Sequence, residues 1–251
     1  MSILLRRYTG ILCFAYCALF SVYGNAEDAS NLKVRRFEDF MLVMNCEKRA
    51  VEFFYYETQP DTGNAKRSSS FYKDKELPED CQQSSTNTYK SPIGTFDRGH
   101  MVPANHFDSD KESIYATNIM SNIHPQHPGL NRGAWLRTEE MIECMREDTK
   151  LQVFGGPIWG SNEDNDYFLN SHGIVTADYF WKVVFNPKSQ ELYAWIFPND
   201  AAPTKSKTNQ YRVSFTDLLE QIKGTSGEAV MWKFVQFNDA GAWPEQSCNL
   251  S

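Results

Sequence analysis

The chain has 251 residues, 41% hydrophobic and 23% charged, with a formal net charge of −7. That size and composition exclude a disordered or fibrous chain and suit one domain with a sizeable core. The acidic balance excludes a protein that grips polyanions by overall charge, so any contact with nucleic acid has to rest on a local basic strip.

Residues 1–26 read as a segment of their own. Arg6 and Arg7 precede an apolar run from Ile11 to Tyr23, and Gly24-Asn25-Ala26 puts small residues at its exit. This is the pattern of a secretory signal peptide, and the run is shorter than the ~20 residues that cross a bilayer. A retained membrane anchor and a mitochondrial targeting sequence are the alternatives, although the segment is apolar rather than an Arg-rich amphipathic helix. Cleavage would leave residues 27–251 as a single domain of net charge 23 − 32 = −9, with no further membrane span. The expected location is secreted or periplasmic, with the mitochondrial intermembrane space as alternative. Cys13 and Cys17 leave with the segment; Cys46, Cys81, Cys144 and Cys248 stay. Four cysteines in an exported chain suggest two disulfides and allow three pairings, of which Cys46–Cys81 with Cys144–Cys248 is preferred. No C-x-x-C spacing points to structural zinc.

Along the domain, Met41 to Met44 and Val51 to Tyr56 are apolar and aromatic-rich, separated by the charged turn Glu47-Lys48-Arg49, and predict a core hairpin. Thr58 to Pro92 is polar and predicts a long ordered loop. Asp108 to Tyr115 can form a short helix, and Asn118 to Leu130, with Pro125, Pro128 and Gly129, predicts strand and loop. Asn131 to Glu147 reads as a strong helix with Asn131 at its N-cap and positions 131, 135 and 139 along one side. Strands are expected at Leu151 to Phe154, Tyr179 to Phe185 and Leu192 to Phe197. A helix follows around Val213 to Ile222, and Val230 to Phe237 suggests a last strand. The mixture is α+β.

The chemistry lies in Asp97-Arg98-Gly99-His100, Ser121-Asn122-Ile123-His124-Pro125-Gln126 and Asn131-Arg132-Gly133-Ala134-Trp135-Leu136-Arg137-Thr138-Glu139. A histidine, an amide and a carboxylate eight residues beyond the amide suit metal-assisted phosphodiester hydrolysis. The imidazole can take a proton from water, the amide oxygen can hold a hard cation, and the carboxylate can orient that cation's waters. Arg67, Arg98, Arg132 and Arg137 lie in or near these blocks and supply the local basic strip. The bland readings are an N-cap for Asn131, a solvated helix glutamate for Glu139 and a surface loop arginine for Arg67. His106, His124, His127 and His172 read as packing or surface residues, and Trp159, Trp181 and Trp195 as core.

In their order and spacing, these blocks resemble the DNA/RNA non-specific endonuclease family. The resemblance continues in Phe154-Gly155-Gly156-Pro157-Ile158, Phe180-Trp181-Lys182-Val183-Val184 and Phe197-Pro198-Asn199, and covers roughly Phe40 to Asn199. It implies a ββα-metal site in an α+β fold, with a central antiparallel sheet, flanking helices and long loops. It implies Mg²⁺ as cofactor, with Mn²⁺ as a substitute, and DNA and RNA as substrates cut to 5′-phosphate ends. His100 would be the general base and Asn131 the one direct metal ligand. Glu139 and Asn122 would act on the metal through water, and Arg98 and Arg67 would neutralise phosphate, with Asn122 and Arg132 also on the substrate. Gln126 is divided between site and scaffold, and Asp97 holds the turn or an arginine. A catalytically inactive binding module on the same fold and a phosphodiesterase for non-polynucleotide substrates remain the alternatives.

Overall fold

Aromatic runs on either side of a charged turn pair into the centre of the protein. The computed structural model describes residues 31–234 and 238–240. The leader expected at 1–26 lies outside that range, as does Cys248 of the expected Cys144–Cys248 bridge, while Cys144 is described and is disulfide-bonded. Among the described residues no helix is long and apolar enough to cross a membrane.

Strands β2 (Phe40–Asn45) and β3 (Ala50–Glu57) form the expected antiparallel hairpin, and Arg49 turns it at φ 55°. β1 (Leu32–Arg36) joins its outer edge; β7 (Gln152–Ile158), β8 (Tyr179–Asn186), β9 (Glu191–Pro198) and the short β10 (Asn238–Asp239) complete the order β1-β2-β3-β7-β8-β9-β10. Every pairing is antiparallel except β10 with β9. β8 is apolar almost throughout because both of its faces are covered. Phe180 and Val184 face a core shared with Phe54, Trp135, Trp195 and Phe197, while Trp181, Val183 and Phe185 face a second core. That second core is closed by α3 (Phe215–Gln221), capped by the Ser214 side chain, and by α4 (Ser226–Met231).

A second, three-stranded antiparallel sheet, β4 (Tyr89–Ser91), β5 (Gly94–His100) and β6 (Ile123–Gln126), lies on the first face. α1 (Lys111–Ala116) sits between β5 and β6, capped by Asp110. After β6 the chain makes a helical turn, Pro128–Leu130, a π-helical turn, Asn131–Trp135, and then α2 (Leu136–Arg146). The fold is the expected α+β arrangement of antiparallel sheets with flanking helices.

Three expectations need correction. Val230 to Phe234 is helical, not a strand: a short apolar run does not distinguish a buried helix from a strand, and Val230 and Met231 pack as helix residues on the second core. Residues 235–237 lie outside the described range. The long polar loop also holds a 3₁₀ turn, Glu79–Cys81, and β4. Third, the helix starts before Asn131, at Pro128, where His127 accepts from Gly129 N and provides the cap. Asn131 is thereby released from capping.

Cys46 and Cys81 form a disulfide, closing a 35-residue span that ties the loop containing Arg67 to the end of β2. Replacing both cysteines by serine should lower unfolding free energy by about 4 kcal/mol, the loop entropy returned to the unfolded chain. Urea denaturation of the double variant against the parent checks this.

Candidate active site

The three sequence blocks converge where β5 ends. Arg98 and His100 are two apart on an extended strand, so their side chains leave on the same face. Both line a cleft of about 170 Å³ with Arg67, Asn105, Asn131, Arg132, Leu136 and Glu139. β5, β6 and the following helix therefore make a ββα unit around one cavity.

His100 is buried, and its ring is held from two sides. The Asn118 amide nitrogen donates to Ser68 O (2.7 Å) and Ser70 O (3.2 Å), which turns Oδ1 toward His100 Nε2 at 3.0 Å. Nε2–H therefore donates, and the neutral ring carries its lone pair on Nδ1. Arg67 Nη2 lies 3.1 Å from Nδ1 and 3.3 Å from Nε2. Burial, then the Arg67 cation, pushes the imidazole pKa down to about 3, so the ring is neutral at any physiological pH. Below it, Trp135 Nε1 donates to His100 O (3.1 Å), which fixes the strand end to the helix.

Arg98 is braced rather than paired: its guanidinium stacks 3.9 Å from the Phe71 ring centroid and donates to Thr86 O at 3.1 Å. The Phe71 ring also lies 5.6 Å from the His100 ring. The loop 67–71 thus wraps the imidazole, with Arg67 on its ring nitrogens and Phe71 between it and Arg98.

Asn131 donates through Nδ2 to Asp97 Oδ2 at 2.9 Å, the orientation that matches a donor to a carboxylate. Its Oδ1 is then left as a free acceptor at the cleft. The same Asp97 carboxylate takes a two-pronged grip from Arg132, at 2.8 and 2.6 Å, so this cation is neutralised and largely exposed. Arg137 pairs with Glu140 at 3.5 Å and does not line the cleft.

The π-turn changes which helix residues look inward. Gly133 leaves helical geometry (φ −101°, ψ −117°), and a Cβ there would sit 2.3 Å from Pro203 O; Ala134 N donates to that same carbonyl at 2.8 Å. The extra residue in the turn sends Trp135 into the core and Leu136 to the cleft, so the expected 131-135-139 stripe is broken while Asn131 and Glu139 still share the cavity. Burial holds the Glu139 carboxyl above the usual carboxylate range, opposed by the charges of Lys182 and Arg67.

Asn122 is not at the cleft. It is completely buried, accepts from Val102 N (2.9 Å) and donates to Val102 O (2.9 Å) and Thr117 O (2.8 Å), so its amide pins the chain after β5 to the end of α1. The expected water-mediated metal and substrate role for Asn122 is corrected to a scaffold role. The asparagine that touches the His100 ring is Asn118, four residues earlier, and nothing in a single sequence ranks one above the other. Gln126 is buried against Gly99 and is scaffold. His106, His124 and His172 are buried and hydrogen-bonded, as packing residues.

The donor set suits one kind of cation. Among the described residues there is no group of three or more histidine, cysteine, aspartate or glutamate side chains able to hold a metal. A free amide oxygen with one carboxylate across the cavity fits a hard ion that keeps most of its water, as Mg²⁺ does.

Comparison with known proteins agrees with this geometry. Nuclease C1 of Cunninghamella echinulata var. echinulata is 29% identical over 140 residues, 51% of this chain and 55% of that protein. A nuclease of Serratia marcescens is 27% identical over 205 residues, 78% of this chain and 74% of that protein. The chain spans about half the length of Nuclease C1, and 29% and 34% of a salivary endonuclease of Lutzomyia longipalpis and a nuclease of Nostoc sp.. A chain in the crystal structure of the EndoG/EndoGI complex superposes with a TM-score of 0.60 at 17% identity, over 78% of this chain and 86% of that one, and shares the fold. The family description matched over residues 22–229 covers most of the sequence: the chain belongs to the DNA/RNA non-specific endonuclease family.

Proposed function

We propose that this protein is a Mg²⁺-dependent endonuclease that hydrolyses DNA and RNA with little sequence preference, leaving 5′-phosphate ends. The observation that carries this reading is one cleft shared by a neutral, tautomer-defined imidazole, a free amide oxygen and two guanidinium groups, Arg67 and Arg98, for which the described residues offer no carboxylate at ion-pair distance. His100 Nδ1 accepts the proton of the attacking water. Arg98, braced on Phe71, is already in place for a phosphate oxygen. Arg67 is drawn from the imidazole to the incoming phosphodiester, which frees Nδ1 and adds a nearby anion that makes the ring more basic. Asn131 Oδ1 would hold the ion, with Glu139 on its waters; bound Mg²⁺ supplies charge neutralisation at the phosphate and the departing 3′ oxygen. Mn²⁺ would serve in its place at a site with so few protein ligands. Weak sequence preference follows because the cleft offers cations for phosphate, which carries no base information.

Export, to the periplasm or outside the cell, is proposed from residues 1–26, with the mitochondrial intermembrane space as the alternative. The full chain incubated with plasmid DNA and with RNA should cut both in Mg²⁺ and neither in excess chelator. Intact polynucleotide with hydrolysed small diesters would favour a phosphodiesterase, and no hydrolysis of either would favour an inactive binding module.

A further inference from the structure

Lys182 is a charge inside the core. It stands on β8 between Phe180 and Val184, completely buried, on the face that is otherwise covered by Trp135, Trp195 and Phe197. An ammonium ion loses several kcal/mol of hydration there, so something specific must hold it. Nζ donates to Thr138 Oγ1 at 2.8 Å and lies 3.7 Å from the Trp135 ring centroid. No carboxylate among the described residues comes within ion-pair distance of it.

Both partners belong to the machinery. Trp135 carries the hydrogen bond that fixes the His100 carbonyl, and Thr138 precedes Glu139 on the helix. One buried cation thus contacts the residue that anchors the base strand and the residue beside the carboxylate.

We propose that Lys182 is a positioning residue for the metal site: its charge fixes the Glu139 carboxylate toward the cleft and, through Trp135, sets the spacing between that carboxylate and His100. The proposal rests on the nuclease reading above. Burial lowers the lysine pKa to about 8 while the Glu139 charge raises it, which agrees with the two groups sensing each other. The Arg67 charge acts on Glu139 from the cleft, and Lys182 acts on it from the core, where Nζ meets Thr138 and the Trp135 ring.

The test compares Lys182→Met, Lys182→Gln, Lys182→Arg, Glu139→Gln and the Lys182→Gln/Glu139→Gln double variant of the full chain. The readouts are Mn²⁺ binding by electron paramagnetic resonance without substrate, the Mg²⁺ half-saturation for DNA cleavage, and circular dichroism for folding. Loss of Lys182 charge should weaken Mn²⁺ binding on the order of ten-fold, the scale for an outer-sphere partner of a metal. Arginine should restore most of it, and the double variant should be no weaker than Glu139→Gln alone. Gln keeps a polar group for Thr138, so it decides the matter if Met fails to fold. Wild-type Mn²⁺ binding in Lys182→Gln overturns the proposal, as does Arg no better than Gln, or additive losses in the double variant. A parent that cuts nothing in Mg²⁺ defeats the nuclease reading instead, whereas an active parent with unaffected variants defeats only the role of Lys182.

Discussion

His100→Ala should reduce the rate of DNA cleavage by about 10²–10⁴-fold, the usual contribution of a positioned general base. The imidazole offers one lone pair, because Asn118 has taken the other nitrogen as a donor, and no other titratable side chain in the cleft is a neutral base. Glu139 is the nearest substitute, but it sits across the cavity on the helix. Arg67 and Arg98 remain in the variant, so substrate binding should change far less than turnover. Initial rates on plasmid at saturating Mg²⁺, with circular dichroism to verify the fold, give the comparison. Undiminished cutting by the alanine variant would remove His100 from the reaction.

Acid should unfold the protein early. Burial pushes His100 and His106 down to about 3 and His124 to about 4, from an ordinary value of 6.5. The unfolded chain therefore takes up a proton at each of these three rings that the folded one refuses, burial lowers His172 as well, and stability present above pH 6.5 is lost as pH falls toward 4. At full strength three such groups cost about 4 kcal/mol per pH unit. Three carboxyls work in the opposite sense. Burial raises Glu143 to about 7 and raises Glu139 and Asp108 as well, so their contributions are present below their ordinary values and fall as pH rises. The net loss between pH 6.5 and 4.5 should be about 1–3 kcal/mol per unit, steepening below 4.5. Urea denaturation at several pH values measures it. His124 lies away from the cleft, with Nε2–H donating to Val51 O. His124→Gln should therefore flatten the curve by about 1.4 kcal/mol per unit. A stability independent of pH from 7 to 5 would contradict the assignment.

Much of this architecture is legible in the chain because its signals are strong and local. The β2–β3 hairpin follows from aromatic runs around Glu47-Lys48-Arg49, and β8 and β9 from apolar runs of strand length. The blocks at 97–100 and 131–139 meet in space because β5, β6 and the helix are consecutive elements. Where reading failed, the information was not local. β1, Leu-Lys-Val-Arg-Arg, reads as polar because it is an edge strand with one half-buried face. Asn118 and Asn122 are the same residue type four positions apart, and only the carbonyls of Ser68 and Ser70, some fifty residues away, turn Asn118 toward the His100 ring. Lys182 lies in a stretch that reads as pure core strand, and its meaning comes from a helix more than forty residues earlier.

The π-helical turn at Asn131–Trp135 carries a consequence for anyone editing this protein. It looks like a flaw to be repaired, since substitutions that close it at full length into a continuous α-helix would restore a full ladder of backbone bonds. Yet winding these residues at about 100° each would leave Asn131 about 80° out of line with Glu139. Asn131 would swing out of reach of Asp97, and a straighter, sturdier rod would present its amide to the wrong neighbour. Here the irregular pitch is a spacer, and a stabilising repair would disarm the cleft.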